Sequence, residues 1–403
     1  VALSAKPAAP SLPGLSRAPT AVESALIRTL AAETERLRGL RFRAQVEVRI
    51  QDRIAMRAYV ESALDETELA RARRRYLALG LLPETLDVRE LIVSLMEEEL
   101  VGYYDPAHKL LAIRNDVADA LARGKTRDEG DLEWRATVVH ELVHALQDQH
   151  LALSTTMELS RTTDEENAFG AVIEGDATLV MLGYVAERQG GSMESLVADT
   201  AALSRSLHES PLQAGGRLSQ APALVREPLL FRYREGAVFA ARLFARAGWE
   251  AVNAAHRRLP PSTQAVREGT SSASRLDAPD LALALAPACR SVDRDVLGSL
   301  EVGAALGGSA LTSTELAKAW RGDDYRVLTC GDRDASLWFL RFAAPALARR
   351  ARAALQRADA QGQSLRVVLQ QGRHLLVARR LEPDQVRGLE APFRAWASSS
   401  PQK

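Results

Sequence analysis

The chain has 403 residues, 46% of them hydrophobic, and its 52 basic side chains balance 52 acidic ones for a formal net charge of zero. That is enough apolar material for one large or two modest domains with a real core. No basic run with interleaved aromatics speaks for a nucleic-acid partner, and no apolar stretch approaches the length of a transmembrane span.

Residues 1–20 are rich in Ala, Pro and Ser with little apolar pattern. They predict a flexible segment. Because the chain opens on Val1, that segment is expected to follow a removed export signal, an artificial chain start being the bland alternative. Residues 21–100 read as mostly helical, interrupted by Val46–Ile50, whose alternation predicts a strand. A helix is expected over Val88–Leu100. Val101-Gly102-Tyr103-Tyr104, the turn Asp105-Pro106-Ala107-His108-Lys109 and Leu110–Arg114 then read as a β-hairpin. An edge strand at this place can hold a substrate backbone by strand addition, or be purely structural.

His140-Glu141-Leu142-Val143-His144 is an H-E-x-x-H motif. On a helix, residues four apart share a face, so both imidazoles can grip one zinc ion. Glu141 can then lean over the metal as general base for a water. Trp134, Ala136, Val138, Val139, Leu142, Val143, Ala145 and Leu146 make the segment apolar nearly all round, which predicts a buried helix. Two histidines and a glutamate buried there need a partner, and a metal satisfies them; the competing reading puts all three on a solvated face.

A hydrolytic zinc site needs a third protein ligand and an open fourth position. Two residues compete for the third place. Thr163-Asp164-Glu165-Glu166 reads as a capping box that opens a second apolar helix. One face of that helix carries Gly170, Ala171, Glu174, Ala177 and Thr178, small neighbours that let two helices approach until Glu174 reaches a metal on the other. His150 is the rival, because His140, His144 and His150 nearly match the metzincin motif H-E-x-x-H-x-x-G-x-x-H, with Met157 where a Met-turn would be sought. Where that motif has glycine this chain has Gln147, which is expected to continue the helix and rotate His150 away. Glu174 is therefore the expected third ligand, with Asp176 and His150 as candidates for supporting the ligands from behind.

Residues 215–260 read as a second helical block. Arg232 and Tyr233 within it are candidates for polarising a substrate carbonyl, since a developing oxyanion needs a donor opposite the zinc. Core packing or surface pairing is the ordinary role for either. His108, His208, His256 and His374 have no ligand-like spacing. From about residue 278 the pattern changes, with strands at 325–328, 337–342, 365–369 and 374–378 alternating with helices at 343–358 and 382–396. That reads as an α+β extension packed on the core. Cys289 and Cys330 are the only cysteines. In an exported protein they would pair, in a cytosolic one they would be unrelated core thiols, and export is favoured.

Several of these segments resemble a known family. Val101-Gly102-Tyr103-Tyr104-Asp105-Pro106, the run from His140 to His150, and Glu174-Gly175-Asp176-Ala177-Thr178 are similar to motifs of bacterial gluzincin-type zinc metallopeptidases, which are secreted or lipid-anchored in the cell envelope. So are Tyr233-x-x-Gly236, Gly248-Trp249, Pro261-Ser262-Thr263 and Trp320-x-Gly322-Asp323-x-Tyr325, and the likeness spans about residues 45–330. The resemblance implies a zincin-like core with His140, His144 and Glu174 as ligands of one zinc ion and Glu141 as base. In that family a His-Pro pair tends to follow Pro-Ser-Thr. Here Gln264-Ala265 stands instead, so any transition-state aid from that position is missing or supplied otherwise.

The expected protein is α+β. It has a flexible segment over 1–20, a mainly helical zincin-like catalytic domain with a small mixed sheet over 21–277, and a C-terminal α+β subdomain over 278–403. The expected function is that of an exported zinc-dependent endopeptidase acting on protein or peptide substrates. The alternatives are a zinc-containing binding or scaffold module, marked by a closed site with His150 as fourth ligand, and a metzincin-like peptidase using His150.

Overall fold

The computed structural model of the chain describes residues 16–122, 129–153, 161–209, 216–269, 276–281, 285, 288–306, 310–359 and 366–399. They form an α+β protein, largely helical with two small sheets. Ser16–Arg17 (β1) already pair with Glu47–Gln51 (β2), and Thr20 caps α1 (Ala21–Arg38) in a capping box with Glu23. The expected flexible segment therefore gives way to structure at Ser16, where strand pairing and a helix cap fix the backbone. Residues 1–15 lie outside the described residues.

Three helices follow, α2 (Arg53–Ala63), α3 (Glu66–Leu79) and α4 (Val88–Glu99). Asp52, Asp65 and Asp87 cap them, each accepting a first-turn N–H. The expected hairpin is formed by β3 (Gly102–Asp105) and β4 (Leu110–Arg114); β4 also lies parallel to β2, so the sheet runs β1-β2-β4-β3 and β3 is an edge strand. After α5 (Asn115–Ala122) come the two central helices, α6 (Glu129–Leu151) and α7 (Thr163–Arg188). Val139, Leu142 and Val143 of α6 pack between Leu111 and Ile113 of the sheet and Ala177 and Val180 of α7.

By length and composition α7 could cross a bilayer, yet most of its apolar stretch is buried inside the protein. It reads as a core helix, and no transmembrane segment is clearly indicated. Its start differs by one residue from the expected capping box. Thr162 is the cap and pairs with Glu165, because the N–H and hydroxyl of Thr163 are both taken by Asp295.

The chain continues through α8 (Met193–Val197), α9 (Thr200–Glu209) and α10 (Gly216–Gln220) into α11 (Ala223–Arg257), which kinks at Ala247–Gly248, and then α12 (Thr263–Glu268). The expected stripe of α7 is shared between two helices, with Glu174 and Ala177 toward α6 as expected and Gly170 and Ala171 against α11. A methyl group on Gly175 would stand 2.1 Å from the backbone carbon of Gly236, so these two backbones meet without side chains between them.

The C-terminal part holds β5 (Cys289–Asp295), α13 (Ser299–Ala305), α14 (Ala310–Ala319), β6 (Trp320–Cys330), β7 (Arg333–Phe342), α15 (Pro345–Asp359), β8 (Arg366–Gln371), β9 (His374–Arg379) and α16 (Pro383–Ser399). Its sheet is antiparallel in the order β5-β6-β7-β9-β8. Side chains alternate across it. Trp338 and Leu340 face α3, α14 and α15, whereas Leu337 and Phe339 face α16. Cys289 stands opposite Cys330 across β5 and β6, and a disulfide joins them. Ala78 and Leu79 of α3 belong to this second core, and Arg75 pairs with Asp293 and Asp295. The expected boundary at 277/278 therefore does not separate the two cores, since an N-terminal helix packs on the C-terminal sheet.

The C-terminal part also clamps the start of α7. Asp164 donates its N–H to the Val296 carbonyl (3.0 Å), and its Oδ1 accepts from the Thr263 N–H (3.0 Å) and hydroxyl (2.6 Å). Gly298, at φ 90°, lets Asp164 approach, because a methyl group there would stand 2.3 Å from Oδ1. Nearby, Asp323 accepts from Leu297 N–H, Gly298 N–H and the Trp338 indole. Burial pushes Asp164 up to about 7 and Asp323 up to about 8.

The folded state thus holds protons on these carboxyls that the unfolded chain has lost, and their contribution to stability is present below about pH 4 and disappears as pH rises through 7 to 8. The melting temperature should fall between pH 5 and pH 8.5. Asp323→Asn should flatten that slope even if it lowers stability overall. Equal slopes in both proteins, from thermal melts across this range, would contradict the assignment.

Candidate metal centre

The third turn of α6 before its end presents His140 and His144 toward α7, where Glu174 faces them. His140 Nε2 lies 3.1 Å from Glu174 Oε2 and 3.1 Å from His144 Nε2, and His144 Nε2 lies 3.5 Å from the same carboxylate oxygen. Ligand atoms of His140, Glu141 and His144 also fall within 4.8 Å of one another. The structure thus brings together all four residues singled out from the motif and from α7.

The donor set fits zinc. Two imidazole nitrogens and one carboxylate oxygen are its usual ligands, and donors about 2.0–2.2 Å from a tetrahedral ion stand about 3.3–3.6 Å apart. The three observed separations lie at or just under that range. Electrostatics fits as well. Burial alone would raise the Glu174 carboxyl, but His144 and His140 outweigh it and hold it below the usual carboxylate range. Burial alone would lower His144, but Glu174 and Glu141 raise it to about 9. Glu174 is thus ionised, as a ligand must be, whereas a metal would have to displace a proton from His144.

Glu141 points to the side of the ligands. Its Oε2 accepts the Tyr104 N–H (3.0 Å) from the edge strand β3. Burial pushes its carboxyl up against the pull of His144 and His140, the direction that suits a base working near neutral pH. The hairpin is tied to α6 twice more, because the Tyr104 hydroxyl and the Lys109 ammonium both donate to Asp148 (2.7 Å each).

Behind the ligands lies a buried polar network. Asp176 pairs with Arg38 (2.7 Å) and His256 (2.9 Å) and accepts from the Gln147 amide (3.1 Å), while Gln147 Oε1 lies 2.9 Å from His144 Nδ1. Burial is outweighed by Arg38 and His256, which hold the Asp176 carboxyl low. Trp249, beyond the kink of α11, lies over the Arg38 guanidinium at 4.5 Å.

Tyr233 belongs to the centre. Its ring stacks on His140 at 5.9 Å, and the charge of Glu174, followed by burial, pushes its phenol well above the ordinary value. Arg232 does not join it, because its guanidinium donates to Asn167 (3.0 Å) and its stem covers Gly170. Nor does His150. Gln147 continues α6 as expected, and His150 Nε2 is 2.6 Å from the Arg41 carbonyl. His150 is thus neither a ligand nor a support for one, and Met157 lies outside the described residues. Gln264 is buried in the first turn of α12, with its amide near Glu268 and Lys318. Asp164, which binds the neighbouring Thr263, is ten residues or about 15 Å along the helix from Glu174. Thr263 therefore anchors the start of α7, away from Glu174.

Of the remaining histidines, His108 pairs with Asp105 (2.7 Å), His208 contacts the Ser204 carbonyl, and His374 packs on Trp396. His256 is a residue the spacing argument dismissed and the structure places on Asp176. Arg38 was also missed, although a signal existed. Ile27, Leu30, Thr34 and Leu37 form the buried stripe of α1, and Arg38 falls beside it.

The chain matches no protein-family model, no curated protein and no solved structure.

If Glu174 is the third ligand, Glu174→Ala leaves a weak two-histidine site, and zinc affinity should fall by more than the roughly 10- to 100-fold of a supporting residue. His150→Ala should leave affinity near that of the parent. Competition against a chromophoric chelator measures both, and the reverse ranking would make His150 the ligand.

Proposed function

We propose that this chain is a zinc-dependent endopeptidase of gluzincin type with a zincin-like core, acting in an exported setting. The observation that carries the reading is the convergence of His140 Nε2, His144 Nε2 and Glu174 Oε2 within 3.1–3.5 Å, with Glu141 beside them. A bound zinc ion supplies Lewis acidity, which activates water at neutral pH and polarises a carbonyl. The rest is work for the chain. Glu141, held by the Tyr104 N–H, accepts the proton of the attacking water and delivers it to the leaving amine. Tyr233, partly exposed beside His140 and kept protonated by the charge of Glu174, is the donor for the oxyanion that develops on the carbonyl. An extended substrate would lie along β3, the edge strand next to the base. The Cys289–Cys330 disulfide supports an oxidising compartment, and so an exported protein.

Glu141→Gln keeps the shape but cannot accept a proton. Zinc content should stay at one per chain while peptide hydrolysis falls by about 10²- to 10⁴-fold, followed with unstructured peptides. Tyr233→Phe should lower kcat by about 10²- to 10³-fold and leave zinc in place. Activity near the parent level in Glu141→Gln would reject the mechanism. Thiol titration of denatured, unreduced protein from its native source should find no free thiol, whereas two would favour a reducing compartment.

A further inference from the structure

We infer that Gln147 is the positioning residue that fixes His144 as a metal ligand, through a relay running from Arg38 and Asp176; this rests on the zinc reading above. Gln147 is fully buried between α6 and α7. An amide has one end that only donates and one that only accepts, and its surroundings decide which is which. Here Nε2 lies 3.0 Å from the Ile173 carbonyl and 3.1 Å from Asp176 Oδ2, both acceptors. That end must be the NH₂. Asp176 cannot turn away or take the donor role itself, because Arg38 and His256 hold it as a carboxylate on its other sides.

The opposite end of the amide is then an oxygen, 2.9 Å from His144 Nδ1. An oxygen can only accept, so Nδ1 carries the proton. In a neutral ring that leaves Nε2 with its lone pair, and Nε2 is the atom aimed at His140 and Glu174. The chain thus fixes the ring plane before any metal arrives, and the tautomer left once the Nε2 proton is displaced is the one a metal needs. Gln147 is also the residue that replaces the metzincin glycine, so one side chain both extends α6 past His144 and orients that ligand.

The test uses the full chain and zinc alone, with 15N-labelled histidine. The parent should bind one zinc and show a slowly exchanging His144 Nδ1–H signal. Gln147→Leu keeps the bulk and loses the acceptor. It should weaken zinc binding by about 10- to 100-fold and make that ring N–H exchange faster. Gln147→Glu returns an acceptor to His144 but sets its second oxygen against Asp176 and the Ile173 carbonyl, so it should recover only part of the affinity, with the N–H signal moved downfield by the charged partner. If the Leu variant does not fold, the Glu variant decides alone, since an unmoved signal overturns the inference. Equal losses in both variants with the N–H unchanged would mean helix packing only, and would also overturn it. A parent that binds no zinc rejects the zinc reading itself, whereas a zinc-binding parent with an indifferent Gln147→Leu variant rejects only the relay.

Discussion

Holding His140, His144 and Glu174 within hydrogen-bonding distance of one another takes polar and charged atoms out of water, and the elements around them are arranged to make that tolerable. A buried charge is costly unless paired. Here the pairing runs in layers. Glu174 faces two imidazoles, His144 is backed by Gln147, Gln147 is backed by Asp176, and Asp176 ends on Arg38 and His256. Removing any layer leaves the next with an unmet donor or acceptor. A cation at the centre would complete the set from the front.

That arrangement needs α7 to be immobile, and the structure holds it along its length. At its start, Asp295 takes both polar atoms of Thr163, while Thr163's neighbour Asp164 is bound to Val296 and Thr263. In its middle, Gly175 and Gly236 bring α7 and α11 into backbone contact, and the same approach sets Tyr233 against His140. The C-terminal sheet thus has a part in the centre although none of its residues touches the ligands. It supplies the far wall against which the ligand-bearing helix is fixed.

Much of the centre was legible because its signals are local. The four-residue spacing of His140 and His144 and the apolar run around them specify a buried helix with two imidazoles on one face. The hairpin over 101–114 and four strands of the second sheet followed from turn residues and alternation. What was not legible depends on contacts between distant segments. Asp176 was expected behind the ligands, but Arg38, Gln147 and His256 reach it from three other parts of the chain, and no spacing rule connects them. β5 escaped notice because its alternation is polar, with Val292 as its one aliphatic residue and partners only in β6. The small residues beside Glu174 did mark close helix contacts, but Gly170 and Ala171 meet α11, a partner that a pattern within α7 cannot identify. The packing of α3 on the C-terminal sheet hides for the same reason, since Arg75 and Asp293 are 218 residues apart.

The central claim is that two helices of this chain hold one zinc ion through two imidazoles and one carboxylate. A crystal structure of zinc-loaded protein with anomalous data on both sides of the zinc absorption edge tests it most directly. The account predicts one strong peak per chain, bounded by His140 Nε2, His144 Nε2 and the Glu174 carboxylate, with a fourth position open to water. A peak elsewhere, no peak after zinc loading, or a fourth ligand donated by the protein would contradict it.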